Sequence, residues 1–137
     1  MKKIVLFFII LLGTLSSLQA QNAPLNKQQT LEYIEKLYKE TYQFNENKVL
    51  SVTIDGKILV IKFSSDGISR RDLSKADSLF LGKPNSSGHF DIRFVSEYYA
   101  QILCCIQLEA DANRLKKALE HLIEILKTEK STDPFGE

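Results

Sequence analysis

The stretch Leu50-Ser51-Val52-Thr53-Ile54-Asp55-Gly56-Lys57-Ile58-Leu59-Val60-Ile61-Lys62-Phe63 reads as a β-hairpin. Asp-Gly is a signature of the two-residue type I′ turn, whose central residues both take positive φ. With Asp55 and Gly56 as that pair, Ile54 faces Lys57, Val52 faces Leu59 and Leu50 faces Ile61. Cross-strand partners share a face, so Leu50, Val52, Ile54, Leu59, Ile61 and Phe63 gather on one side. The other side holds Ser51, Thr53 and Lys62, but also Val49, Ile58 and Val60, so it needs partial cover. Turn chemistry and alternation agree on a hairpin over 48–63.

Upstream, Asn26 is a good N-cap and Gln29, three residues on, completes a capping box. Leu31, Ile34, Leu37, Tyr38 and Thr41 then recur at helical spacing, which predicts an amphipathic helix over 27–43. This helix is expected to cover Val49, Ile58 and Val60. Downstream, residues 64–89 admit two readings. Ser69 and Asp72 resemble a capping box before a helix lined by Leu73, Ala76 and Phe80. Alternatively, 68–73 and 78–81 are short strands, and the balance favours strands. Gly82 to Gly88 is a loop by composition. Phe90, Ile92 and Phe94 alternate with Asp91 and Arg93. Ile102, Cys104, Ile106 and Leu108 alternate with Gln101, Leu103, Cys105 and Gln107. These predict two more strands, joined through Ser96 to Tyr98. A last helix over 111–128 carries Leu115, Ala118, Leu119, Leu122, Ile125 and Leu126 on one face, with Asp111 at its positive end.

The first twenty residues are of another kind. Lys2 and Lys3 precede an apolar run from Ile4 to Leu12, and Gly13, Thr14, Ser16 and Ser17 lead to Leu18-Gln19-Ala20. A basic start, an apolar centre and a small residue at the end mark a secretory signal peptide, cleaved after Ala20. Nine apolar residues rise only about 14 Å as a helix, against a hydrocarbon core of roughly 30 Å. No cysteine follows the run to take a lipid anchor. The expected organisation is a signal peptide over 1–20, a single α+β domain over 21–130 and a polar tail over 131–137. The mature form has no stable membrane anchor and is secreted or periplasmic. Cleavage lowers Lys+Arg from 18 to 16 against 17 acids, leaving a net charge of −1 on 117 residues. That length suits one domain with a core of its own. An evenly mixed surface offers no electrostatic footprint for nucleic acid or an anionic membrane.

Antiparallel strands closed by an amphipathic C-terminal helix, here Ala112-Asn113-Arg114-Leu115-Lys116-Lys117-Ala118-Leu119-Glu120-His121-Leu122, resemble a pleckstrin-homology-like domain. Together with Tyr33-Ile34-Glu35-Lys36-Leu37 and Asp133-Pro134-Phe135, that helix is also similar to small exported proteins of unknown function. The resemblance lies in the order of elements and has no specific motif. It implies an antiparallel sheet or partly open β-barrel framed by an N-terminal and a C-terminal amphipathic helix. Lipid-binding relatives hold inositol phosphates on a basic first-hairpin loop. This chain has only Asp55-Gly56 before Lys57 there, so that activity does not carry over.

Candidates for chemistry are few. Cys104 and Cys105 are adjacent, and a regular strand sends neighbours to opposite faces. Three readings stay open: two small apolar thiols, an intermolecular bridge through Cys105, or a strained vicinal disulfide. His121 reads as solvated surface. His89, in a loop, is a candidate partner for Cys105 in a thiol–imidazole pair. The spacing of His, Cys and carboxylates gives no metal cluster, and no cofactor motif is present. Asn85-Ser86-Ser87 matches a glycosylation sequon, relevant in a eukaryotic source. The expected function is an exported, non-enzymatic binding or accessory domain for a protein or peptide partner. Its candidate partner surface is Asn85, His89, Tyr98 and Tyr99. The alternative is a small exported thiol enzyme or hydrolase using His89 and Cys105.

Overall fold

The hairpin forms, with strands β1 (Val49–Asp55) and β2 (Ile58–Phe63). The computed structural model describes residues 24–76, 78–95 and 101–129. The readings on 1–20, on Tyr98 and Tyr99, on the 96–98 connection and on 131–137 lie outside the described residues. In the hairpin Asp55 pairs with Ile58, Ile54 with Leu59 and Val52 with Ile61. The turn residues are therefore Gly56 and Lys57, not Asp55 and Gly56. Of the two, only Gly56 has positive φ, at 59°, the pattern of a type II′ turn with glycine first. A slip of two residues keeps the side chains from Ser51 to Ile61 on their expected faces, so Val52, Leu59 and Ile61 still point inward and are buried. Leu50 departs from the pattern. The ladder passes from Val49↔Phe63 to Ser51↔Lys62, which leaves Leu50 as a bulge. Val49 takes the inward place at 5% exposure, and Leu50 turns out at 55%.

β3 (Ile68–Asp72) extends this sheet beside β2, in the order β1-β2-β3. Asp72 then caps a short 3-10 turn, Leu73–Lys75, its carboxylate accepting from the Ser74 N–H at 3.0 Å and hydroxyl at 2.6 Å. A second antiparallel sheet holds β4 (Leu79–Leu81), β5 (Phe90–Phe94) and β6 (Gln101–Ile106) in that order. The strand reading of 68–81 thus holds. The fold is α+β with two separate three-stranded sheets that do not close into a barrel.

Two helices cover both sheets. Helix α1 (Lys27–Thr41) starts with the expected box: Asn26 Oδ1 accepts from Gln29 N–H at 2.9 Å, and Gln29 Oε1 from Asn26 N–H at 3.1 Å. Its buried Leu31, Ile34, Leu37 and Tyr38 join one core with Val49, Val52, Leu59 and Ile61. Of Val49, Ile58 and Val60, which the helix was expected to cover, only Val49 joins this core; the helix lies over the Val52–Leu59–Ile61 face instead. The reason is the greater apolar area there, each such side chain contributing about 1.5–3 kcal/mol on burial. Val60 lies outside that core, between Thr53 and Arg70 of the flanking strands. Glu35 ties the helix to the sheet margin, one carboxylate oxygen accepting from Val52 N–H at 3.0 Å and the other from Lys39 Nζ at 2.6 Å.

Helix α2 (Glu109–Thr128) begins two residues before the expected start, with no side-chain cap. Glu109 and Asp111 occupy its first turn. Ala112, Leu115, Leu119, Leu122 and Leu126 are buried against α1 and the second sheet. The His121 ring nitrogen Nε2 donates to the Leu25 carbonyl at 2.7 Å, fastening the chain before α1 onto α2. No helix among the described residues is long and apolar enough to cross a membrane.

Candidate functional site

The site is organised by an irregularity in β6. Phe90 pairs with Ile106 and Ile92 with Leu103, so the single residue Asp91 on β5 stands opposite two, Cys104 and Cys105. This is a β-bulge, and Cys105 takes a left-handed conformation at φ 60°. A second shift, between Ile92 and Arg93, makes Ile102 an extra residue on β6. Strict alternation over 101–108 therefore fails. Ile102, Leu103 and Ile106 are buried, Cys104 is half-buried and Leu108 is exposed.

The backbone N–H and carbonyl groups of Cys104 and Cys105 each have a partner. The Tyr38 hydroxyl donates to the Cys104 carbonyl at 3.1 Å and accepts from the Cys104 N–H at 3.2 Å. Asp91 Oδ1 accepts from the Cys105 N–H at 3.4 Å, and the Gln43 N–H donates to the Cys105 carbonyl at 2.9 Å. Asp91, expected on the polar side of its strand, is instead 5% exposed and ion-paired to Arg93 at 3.0 Å. Its two oxygens are both partnered there, by the Cys105 N–H of the bulge and by Arg93. The bulge breaks the strict alternation on which the expectation of opposite faces for the two thiols rested, and both cysteines line one cleft.

That cleft opens between the two sheets, with a volume of about 440 Å³. Its aromatic wall runs from Tyr38 to Tyr42, edge to face at 5.3 Å between ring centres, and on to Phe63 at 5.3 Å. Arg71 also lines the cleft, bridging the sheets by donating from Nε to the Gln101 carbonyl at 2.6 Å. A second cavity of about 570 Å³ continues from the first, sharing Tyr42, Phe44, Asn47, Asn85 and Cys105. Its rim is the turn Phe44-Asn45-Glu46-Asn47, closed by a bridge between Phe44 and Asn47. Asn45 and Glu46 both have positive φ there, at 45° and 61°. The turn presents Phe44 to solvent at 51% exposure. Backbone held in the left-handed region by non-glycine residues costs about 1–3 kcal/mol each and tends to collect at functional sites. Here such residues occur at the rim and at the floor.

No known protein family, curated protein or solved structure matches this chain. The site must be read from its own chemistry.

Cys105, Tyr42 and Tyr38 are shifted in the same direction. Burial, the hydrogen bond with Cys104, the charge of Cys104 and that of Asp91 push the Cys105 thiol up to about 12. Burial, then the nearby thiols, push Tyr42 up to about 12, and burial raises Tyr38 well above its ordinary value. All three groups are protonated at neutral pH. Of the residues singled out from sequence, Asn85, His89 and Cys105 do line one cavity. The His89 ring makes no hydrogen bond to Cys105. Its backbone N–H instead donates to Asn85 Oδ1 at 3.0 Å, within a local turn that also takes the Ser87 N–H at 2.9 Å. Tyr38, Tyr42, Phe44, Arg71 and Asp91 were missed by sequence reasoning. The aromatic pair in Tyr42-Gln43-Phe44, just past the helix, was the available signal for two of them.

Proposed function

We propose that the mature chain is an exported, non-enzymatic binding domain that seats a peptide segment of a partner protein in the cleft between its two sheets. The supporting observation is the cleft itself, an open groove lined by an aromatic wall, an arginine and a Cys105 thiol pushed up to about 12. Extended peptides bind such grooves through apolar anchors and a few polar contacts. The Tyr42–Phe63 wall and exposed Phe44 suit an aromatic or aliphatic anchor. Arg71 suits a carbonyl or carboxylate on the peptide. The export reading rests on the basic, apolar and small-residue zones of residues 1–20.

The competing reading, a thiol enzyme or hydrolase, has one observation in its favour: His89 and Cys105 line the same cavity. Against it stand the raised thiol and the lack of a hydrogen bond between the pair, since thiol catalysis draws on a thiolate. The test uses the mature domain and the variants Phe44→Ala, Arg71→Ala, His89→Ala and Cys105→Ser, each checked for fold by circular dichroism. Partner capture from envelope extract is compared with a screen for hydrolase and thiol-exchange turnover. Capture lost in Phe44→Ala and Arg71→Ala but kept in His89→Ala and Cys105→Ser is the expected result. Turnover that vanishes in His89→Ala or Cys105→Ser overturns the binding reading.

A further inference from the structure

We propose that the cavity of about 570 Å³ between the Phe44–Asn47 turn and the Asn85–Gly88 turn binds a neutral oligosaccharide. The starting point is two side-chain amides on its walls, each of which is half spent. Asn85 Oδ1 accepts from the backbone N–H groups of Ser87 at 2.9 Å and His89 at 3.0 Å. A backbone N–H can only donate, so the amide oxygen is fixed on the turn. The NH2 group at the other end enters no hydrogen bond with the described residues. Gln43 is the complement. Its Nε2 donates to Gln107 Oε1 at 3.0 Å, which leaves its own Oε1 as an acceptor. The Gln43 N–H is tied to the Cys105 carbonyl at 2.9 Å, so this wall is anchored on β6.

The lining then selects the ligand. A hydroxyl carries one donor and two acceptor lone pairs, so a polyol can serve a free NH2 and a free amide oxygen in one site. Next to Gln43 on the same wall, the Phe44 ring is 51% exposed. A sugar ring turns C–H bonds to its faces, and these pack on the electron-rich face of an aromatic ring. The acid and the base that line the cavity, Glu46 and Lys48, offset each other, which gives an anion no advantage. An apolar ligand would leave the amides unpaired. An extended peptide draws on a strand edge or a row of apolar anchors, whereas these walls are turns. The volume falls within the roughly 300–1,000 Å³ typical of small-ligand pockets, which for a glycan means a short stretch of sugars.

This inference goes beyond the peptide reading and stands or falls without it. Gln43 and His89 line only this cavity, while Arg71 and Phe63 line only the neighbouring cleft.

The test is a proton–nitrogen NMR titration of the mature protein with cellotetraose, maltotetraose, mannotetraose and chitotetraose, with oligogalacturonate as the acidic comparison. At least one neutral probe should shift the Asn85 side-chain NH2 signals in a saturable way. Asn85→Asp keeps an oxygen for the Ser87 and His89 N–H groups and removes only the donors. It should weaken binding about tenfold or more, with the backbone signals of the turn in place. Phe44→Ala should do the same, and Arg71→Ala should change binding less than about twofold, since Arg71 lines only the cleft. Cellulose and chitin pull-downs separate the sources. Retention on the polymer assigns an interior stretch of a glycan chain, binding of the tetramer alone assigns a free oligosaccharide, and either supports the proposal. No shift with any neutral probe, equal binding by Asn85→Asp, loss of binding in Arg71→Ala but not in Asn85→Asp, or preference for the acidic probe would each overturn it.

Discussion

Replacing Cys105 by glycine and, separately, by alanine isolates the strain in the β6 bulge. Both changes remove the same sulfur, so the difference between them reports on one Cβ at φ 60°. A left-handed conformation costs a non-glycine residue about 1–2 kcal/mol. Glycine gives back roughly 0.5–1 kcal/mol through its greater freedom in the unfolded chain. Glycine should therefore be the more stable variant by about 0.5–1 kcal/mol. At about 2.1 cal/mol/K of unfolding entropy per residue, a domain of this size should melt about 2–4 °C higher with glycine than with alanine. On a regular strand the order reverses, with alanine ahead by about 0.5–1 kcal/mol. The sign alone is thus decisive. Urea unfolding followed by circular dichroism, with equal slopes for both variants, measures it. Alanine proving the more stable variant would mean that β6 runs straight through Cys105 without the bulge.

Other expectations follow from single contacts. Tyr38→Phe removes the hydroxyl that serves both the N–H and the carbonyl of Cys104, and should cost about 2 kcal/mol; a loss below about 0.5 kcal/mol in urea unfolding would count against that role. Val52→Asp places an unpaired charge at a 3%-exposed core position and should prevent folding, while Thr53→Asp on the exposed face should fold, as gel filtration and circular dichroism will show. Equal damage from the two would refute the strand's facing. The Glu35 carboxyl lies below its ordinary value of 4.5, chiefly through its hydrogen bond from Lys39 and then that from Val52 N–H. A depressed carboxyl stabilises the fold fully above its unfolded value, and that contribution is lost as pH falls through the folded value. The wild-type urea midpoint should thus fall more steeply below pH 4.5 than that of Glu35→Gln; parallel curves would remove Glu35 from the account.

The elements that could be read from sequence are those whose signals are local. The box at Asn26 and Gln29, the 3.6-residue stripes of both helices and the period-two pattern of the hairpin all reappear in the fold. The pairing register slipped by two because Asp-Gly and Gly-Lys are both competent two-residue turns around the same glycine. Face assignment survived that slip; pairing did not. Which face α1 covers was settled by the rest of the core, a tertiary fact absent from the hairpin alone. The bulges at Leu50, Ile102 and Cys104–Cys105 were invisible for a sharper reason. None carries glycine, the residue that usually announces a bulge, so simple alternation was the natural reading. The candidate site inherits that failure. Asn85, His89 and Cys105 could be named, but the clamp residues Tyr38 and Asp91 matter only once the strand is known to bulge between them.

The claim that the inter-sheet cleft is the binding surface is tested most directly by photo-crosslinking in the exporting cell. A photoreactive amino acid is placed at Phe44, on the cleft rim, or at Ile58, on the outer face of the first sheet, where the side chain is 36% exposed. A discrete partner adduct from position 44, and none from position 58, is the predicted result. Adducts from position 58 with none from position 44 would contradict the account and move the binding surface to the outer face of the hairpin.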